Sequence, residues 1–343
     1  MHCFKVILVL ILTAGLAKLA EAQPVFSQYY ATGLFLNPAI CGIEKDIHFG
    51  LNYRSQWSSV NLPFKTFQFS YINPIASRAV KSKHLGGIGA SFLHDEAGPN
   101  SELVTQSVSI AGTYNFHLNR SGSIIAVGAQ FTAMQQQLNP DAFRWSSQYS
   151  LGTGFDAALQ GESGVIKEQI FTPVLNAGAI WHHTIKNLQG REIALYHGLA
   201  VANVQRSNGF FSDQLQGSAI VYKMHGGFSV PVTDKVDVAP NYLLQYQNQL
   251  QLNVGTYASY SLNDSHFSNV KKYKVVAGMW YRWEDAIIIS TGMATNIWNI
   301  GFSYDTNKSA LSRSLGNANA YEISMAYKIK RFKAINRFSS PLM

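Results

Sequence analysis

Ten histidines, with scattered serines and carboxylates, are the residues of this chain that could hold a metal or move a proton. His182-His183 is its one adjacent histidine pair. Two imidazoles suit zinc binding or acid–base work when they converge. This pair sits in a stretch of alternating character, where neighbours point to opposite faces, so it reads as ordinary polar residues at a rim. Gly-x-Ser-x-Gly, a phosphate-binding loop and a paired-cysteine motif are all missing. No catalytic, cofactor or metal site is therefore predicted. The informative feature is the alternation itself.

That alternation is clearest between Val236 and Leu262. Leu250, Leu252, Val254, Thr256, Ala258, Tyr260 and Leu262 take the even positions, and Gln251, Asn253, Gly255, Tyr257, Ser259 and Ser261 the odd ones. A period of two with one apolar face is a β-strand. Val236, Val238, Tyr242, Leu244 and Tyr246 repeat the pattern before a turn at Gln247-Asn248-Gln249. Each half of this hairpin runs about 12 residues, against roughly 5 to 6 for strands in soluble domains and about 9 to 11 for a tilted membrane-crossing strand.

The chain opens with the marks of a signal peptide over residues 1–22: Lys5, an apolar run from Val6 to Ala17, and Ala20-Glu21-Ala22 as the cleavage site. Cys3 precedes the apolar run and leaves with it, so Cys41 would remain without a disulfide partner. No later stretch is long and apolar enough for a membrane helix, and a chain that crosses a bilayer without one must do so as a closed barrel. Aromatic residues at 13%, 27 glycines and only 13% charged residues fit that class. The formal charge of +8 comes from basic residues scattered over turns and tail, with no nucleic-acid recognition motif around them.

Strand signals recur from Ile47 to Arg331, at 47–57, 67–71, 84–95, 104–118, 123–136, 174–184, 195–205, 223–232, the hairpin, 272–283, 285–295, 297–306 and 318–331. These make fourteen, an even number as single-chain bacterial barrels have. With both chain ends in the periplasm, the longest connections, 137–173, 206–222 and 307–317, all fall outside, as outer-membrane barrels prefer. The expected architecture is thus an all-β, transmembrane antiparallel barrel over 47–331. An N-terminal periplasmic or plug segment at 23–46 precedes it, and a basic tail at 332–343 follows. Trp57, Tyr71, Tyr281, Trp283 and Trp298 suit the aromatic girdles at the membrane interfaces. Pro240, inside a strand, predicts a bulge or bend.

Several stretches resemble the PorP/SprF family of outer-membrane proteins associated with type IX secretion. Leu36-Asn37-Pro38-Ala39-Ile40-Cys41-Gly42 resembles its N-terminal LNPAxxG signature, with Cys41 where a small residue such as alanine is more usual. Tyr53-Arg54-Ser55-Gln56-Trp57 is similar to its YRxQW strand, and His94-Asp95-Glu96-Ala97-Gly98-Pro99 to the end of its third strand. Gly301-Phe302-Ser303-Tyr304-Asp305-Thr306-Asn307, with Ser309 and Leu311, and then Glu322-Ile323-Ser324, resemble its C-terminal pair of motifs. The resemblance implies a non-enzymatic barrel embedded in outer-membrane lipid. Its partners would be periplasmic components of the secretion machinery or a secreted adhesin or other cargo held at the cell surface, and not nucleic acid. A channel or transporter for small or hydrophobic substrates is the alternative, and it requires an open lumen. An outer-membrane hydrolase with a Ser/His or Asp/His pair on neighbouring strands ranks third.

Three sets of residues carry expectations for a site. The connection 137–173 is long enough to be functional, with Phe143, Trp145 and Tyr149 as docking aromatics joined by Phe210 and Phe211 from the next outer loop. Lys328, Lys330, Arg331, Lys333 and Arg337 form a basic periplasmic tail suited to an acidic partner. Pairing of the first strand with the last would bring Arg54 beside Glu322, with Asp305 as a second acceptor. In a wet lumen that seam network would be worth about 0 to 1 kcal/mol.

Overall fold

The protein is described by a computed structural model covering residues 25–60, 63–76, 84–118, 123–139, 142–150, 154–156, 158–159, 169–186, 192–204, 219–262, 273–308 and 319–330. Its strands are β1 Ile47–Gln56, β2 Phe64–Ala76, β3 His84–Ala97, β4 Leu103–His117, β5 Ile124–Leu138, β6 Tyr149–Ser150, β7 Gly154–Phe155, β8 Gln169–Lys186, β9 Glu192–Ala202, β10 Val221–Pro231, β11 Val236–Gln247, β12 Gln249–Ser261, β13 Lys274–Arg282, β14 Ala286–Ala294, β15 Trp298–Asn307 and β16 Ala320–Ile329. All except β6 and β7 join one closed antiparallel barrel of fourteen strands, with β1 pairing β16 to shut it. β6 and β7 form a small hairpin within the connection from β5 to β8.

Alternation sorts the side chains as the pleat requires. Val254, Tyr260, Tyr304 and Ile323 are exposed on the outer wall, whereas Asn253, Ser303 and Glu322 are buried on the inner one. Leu252 and Gln251 are half-buried. The 247–249 turn is made at Asn248, in left-handed conformation with φ of 59°. Pro240 causes no slip. Pro240 stays opposite Thr256 of β12, and the β10 ladder lapses between the Gly227–Asn241 and Val230–Val238 pairs and then resumes in the same register. Among the described residues a register shift falls at Ile75/Ala76 of β2. β8 starts at Gln169, earlier than the alternation suggested. Pro173 there pairs β5 beyond the last β8–β9 pair, so its missing N–H breaks no ladder bond on that side.

Inside the barrel runs the segment from Val25 to Glu44, folded into short 3-10 turns at Tyr29–Ala31, Gly33–Phe35 and Pro38–Gly42. Asn37 starts the last of these, its side chain accepting the Ala39 N–H with Pro38 in the first turn, an arrangement suited to both residue types. Tyr29, Tyr30, Leu34, Leu36, Ile40 and Ile43 pack on wall residues that include Ile72, Ile124, Ile180, Leu243, Trp280 and Ile288. The barrel therefore has a hydrophobic core in its lumen as well as an apolar exterior. Val25 lies toward the end that carries the long connections, lining a cavity with Lys223 and Gln245 near the ends of β10 and β11. Val25 and Glu44 thus lie toward opposite mouths, because the segment runs along the lumen before β1 begins.

Wall glycines make the close approach possible. A Cβ at Gly178 would lie 2.1 Å from Asn37 Oδ1, and one at Gly87 would lie 2.0 Å from the Cys41 carbonyl oxygen. Cys41 fits in place of a smaller residue because Gly89 faces its sulfur, which sits 2.8 Å from where that Cβ would be. Gly178→Val should destabilise the barrel by about 1–3 kcal/mol or more, as overpacking does, in urea unfolding of the detergent-solubilised protein. Gly112→Ala, where a Cβ meets nothing within 4 Å, should leave the midpoint unchanged or slightly raised.

Candidate functional site

The charged seam is built from four walls and the inner segment. Arg54 and Glu322 are directly opposed across the closing β1–β16 pair. Arg54 Nη2 lies 2.9 Å from Asp305 Oδ2, and Nη1 lies 3.4 Å from Glu322 Oε2. Arg282, at the end of β13, reaches the same Asp305 oxygen at 3.2 Å and Asp285 at 2.9 Å. Ser27 joins the groups. Its hydroxyl donates to Asp305 and accepts from both Arg54 and Arg282, while its backbone N–H donates to Glu322 Oε2 at 2.7 Å. The N–H of Gln28 donates to the other Glu322 oxygen at 3.1 Å.

The expected wet lumen is not what surrounds these charges. Arg54 is 3% exposed, Asp305 2% and Glu322 fully buried, because the 25–44 segment fills the space that water would have occupied. The surface-pair magnitude consequently does not apply. A charge in such a site loses its hydration and depends on the opposite charges and donors around it, so removing one partner leaves an uncompensated buried ion. The sequence reading missed Arg282 and Ser27. For Arg282 a signal existed, since Tyr281 and Trp283 both face out and the residue between them must face in; for Ser27, in a stretch without periodicity, none did.

Further polar contacts run the length of the segment. Asn37 Nδ2 donates to the carbonyl oxygens of Ala179 at 3.4 Å and Leu199 at 3.1 Å. Lys223 Nζ donates to the Phe35 carbonyl at 2.8 Å and lies 4.3 Å from that ring's centroid. The Tyr29 hydroxyl donates to Asn241, and Tyr30 stacks on Trp280 with centroids 5.2 Å apart. Asn115 Nδ2 donates to the Gly42 carbonyl at 2.7 Å. Cys41 is fully buried beneath Gly89.

The remaining predicted residues are divided. Phe143 and Trp145 lie with ring centroids 5.9 Å apart in the connection before β6, Tyr149 packs on Phe155 at 5.4 Å across the β6–β7 hairpin, and the Arg144 guanidinium sits 4.8 Å over the Phe155 ring. Phe143, Tyr149 and Phe155 remain exposed. Phe210 and Phe211 fall outside the described residues, as do Arg331, Lys333, Arg337 and the 1–22 leader. Lys328 is not part of a free tail: it belongs to β16 and pairs with Glu44 at 3.8 Å. Lys330 is exposed just past that strand. His182 is buried on the inner wall opposite Ile124 at the start of β5, and His183, on the opposite face, stacks on Trp181. Among the described residues no group of three or more histidine, cysteine, aspartate or glutamate side chains could hold a metal ion.

A closed fourteen-stranded antiparallel barrel, apolar outside and packed within, defines an outer-membrane β-barrel protein. The chain matches the family described as type IX secretion system membrane protein PorP/SprF across residues 18–327, and it belongs to that family. Membrane lipid and the secretion system are thereby its setting. No curated protein matches the chain. Among solved structures, a Pseudomonas aeruginosa FadL homologue is similar at 9% identity and a TM-score of 0.43, over 87% of this chain and 94% of that one. The CymD monoaromatic hydrocarbon channel is similar at 11% identity and a TM-score of 0.41, over 94% and 97%. CdiB from Acinetobacter baumannii gives 10% identity and a TM-score of 0.41, over 91% and 73%.

Arg54→Met should cost about 3–5 kcal/mol in chemical unfolding, the magnitude for breaking a buried pair from one side. Arg54→Lys should also destabilise, because one ammonium cannot meet Asp305, Glu322 and Ser27 in the geometry of the guanidinium fork. In a double-mutant cycle, Arg54→Met with Asp305→Asn should cost less than the sum of the two single changes.

Proposed function

We propose that this barrel docks or anchors protein partners of type IX secretion, a secreted surface protein at its outer face or machinery components at its periplasmic face, and conducts nothing through its lumen. The observation that carries this reading is the filling of the lumen by Val25–Glu44, whose buried aromatic, aliphatic and charged side chains occupy the path a solute would need. A channel or transporter of small or hydrophobic substrates calls for an open bore, so the packing speaks against the alternative.

With the lumen occupied, contact surfaces lie at the two mouths. The outer hairpin offers exposed Phe143, Tyr149 and Phe155 beside Arg144, the aromatic and arginine chemistry in which binding energy concentrates at protein interfaces. Phe210 and Phe211 belong to the same proposal from the next outer connection. Lys330, exposed at the other mouth, and Arg331, Lys333 and Arg337 after it in sequence suit an acidic periplasmic partner, with binding that weakens as salt screens exposed charge. The leader over 1–22 is proposed to be cleaved before the barrel assembles.

Replacing Phe143, Trp145 and Tyr149 together by alanine should abolish capture of the surface partner in a pull-down from secreting cells. Barrel amount and its heat-dependent gel mobility should be unchanged. Each anchor that reaches hot-spot strength is worth about 2 kcal/mol or more. Undiminished capture by the triple variant removes the docking role of this hairpin. Planar-bilayer recordings supply the second check: the wild-type barrel should show no open conductance state, and a steady open state would favour the channel reading.

A further inference from the structure

The direction in which the inner segment is threaded has a consequence for the cell surface. Ser27 is held by Arg54, Arg282, Asp305 and Glu322. Arg54 lies two residues before the end of β1 and Arg282 is the last residue of β13; Asp305 lies two residues before the end of β15 and Glu322 two residues after the start of β16. Those four strand ends all open into connections at one mouth, the mouth that also bears the connections from β5 to β8 and from β9 to β10. Val25 lines its cavity with Lys223 and Gln245, again near the ends of β10 and β11 at that mouth. The far end of the segment meets the opposite mouth. Gly42 is bonded by Asn115 near the end of β4, and Glu44 pairs with Lys328 near the end of β16. The segment therefore crosses the lumen once, antiparallel to β1.

Long connections in outer-membrane barrels lie outside the cell. We infer that the N-terminal end of this segment, at Val25, is displayed at the cell surface, on the same face as the outer hairpin, while Asp46 at its other end faces the periplasm. The partly exposed Val25 is followed by buried Phe26 and Ser27, so the boundary between surface and packed lumen is crossed within two residues. The outer face would then include the start of the lumen segment as well as the loops, and a partner that docks there could touch the element on which the seam closes.

Sidedness can be read with single cysteines, because the native Cys41 is fully buried and supplies no background in the folded barrel. Val25→Cys, Asp46→Cys, Asn248→Cys in the outer β11–β12 turn and Lys330→Cys past β16 would each be made in the full chain. Intact and permeabilised cells would be treated with a membrane-impermeant maleimide, and heat-dependent gel mobility would verify that every variant is folded. Val25→Cys and Asn248→Cys should label in intact cells, and Asp46→Cys and Lys330→Cys only after permeabilisation. Labelling of Val25→Cys only after permeabilisation, beside a surface-labelled Asn248→Cys, overturns the inference. So does a folded Val25→Cys that stays unlabelled in both states. Surface labelling of Lys330→Cys in place of Asn248→Cys would invert the whole barrel and overturn it as well. If Val25→Cys misfolds, a cysteine at the buried Phe26, read after mild urea loosening in intact cells, replaces it: labelling from outside supports the inference, and labelling that requires permeabilisation overturns it.

Discussion

In hydrocarbon no water is available to satisfy a backbone N–H or C=O, so a sheet in a membrane must have no free edge. Everything else in this protein follows from meeting that condition. Fourteen strands bring β1 back to β16, and the register of that last pairing sets Arg54 against Glu322. A slip of one residue there would turn every inward side chain of β16 toward lipid, which gives the seam a stringent register. The charged groups at the join add a second, directional constraint, because the Arg54 guanidinium meets Asp305 and Glu322 from neighbouring strands.

A closed sheet of this size raises a further difficulty. Its bore must be filled by water, by side chains or by another piece of chain. Here the chain supplies Val25–Glu44, and filling the bore changes the energetics of the wall. Inward polar side chains that would be hydrated in an open barrel become buried, and Lys223 and Asn115 meet carbonyl groups of the segment. The charges at the seam become a dry network, and Ser27 and Gln28 lend their backbone N–H groups to Glu322. The same Glu322 carboxylate thus takes part in closing the sheet and in seating the segment.

Packing of this kind bears on function through what it leaves available. Glycines on the inner wall permit close approach of the segment's backbone, as at Gly87 and Gly128. The sheet's outer wall is committed to lipid. What remains are the two mouths, one with an aromatic and arginine cluster on a small hairpin and the other with basic residues near the end of β16. The proposed docking role rests on that distribution.

Period-two alternation, strand length and turn chemistry are local properties, and they were legible: the fourteen strands, their inner and outer faces and the β1–β16 closure can all be read from spacing alone. The opposition of Arg54 to Glu322 was legible too, since it needs only strand ends and antiparallel pairing. Arg282 lay within reach of the same reasoning, between two outward aromatics. Other features belong to the tertiary structure. A periplasmic or plug segment is the expectation at 23–46, but residues 25–44 have no periodicity, so nothing local reports that they run from the long-loop mouth to the other, or that Ser27 ties the arginines to both carboxylates. Burial is likewise a property of what surrounds a residue. The sequence by itself determined which side chains face inward, and only the folded chain decided that inward means dry, because a segment distant from β15 and β16 in sequence displaces the water from their inner faces.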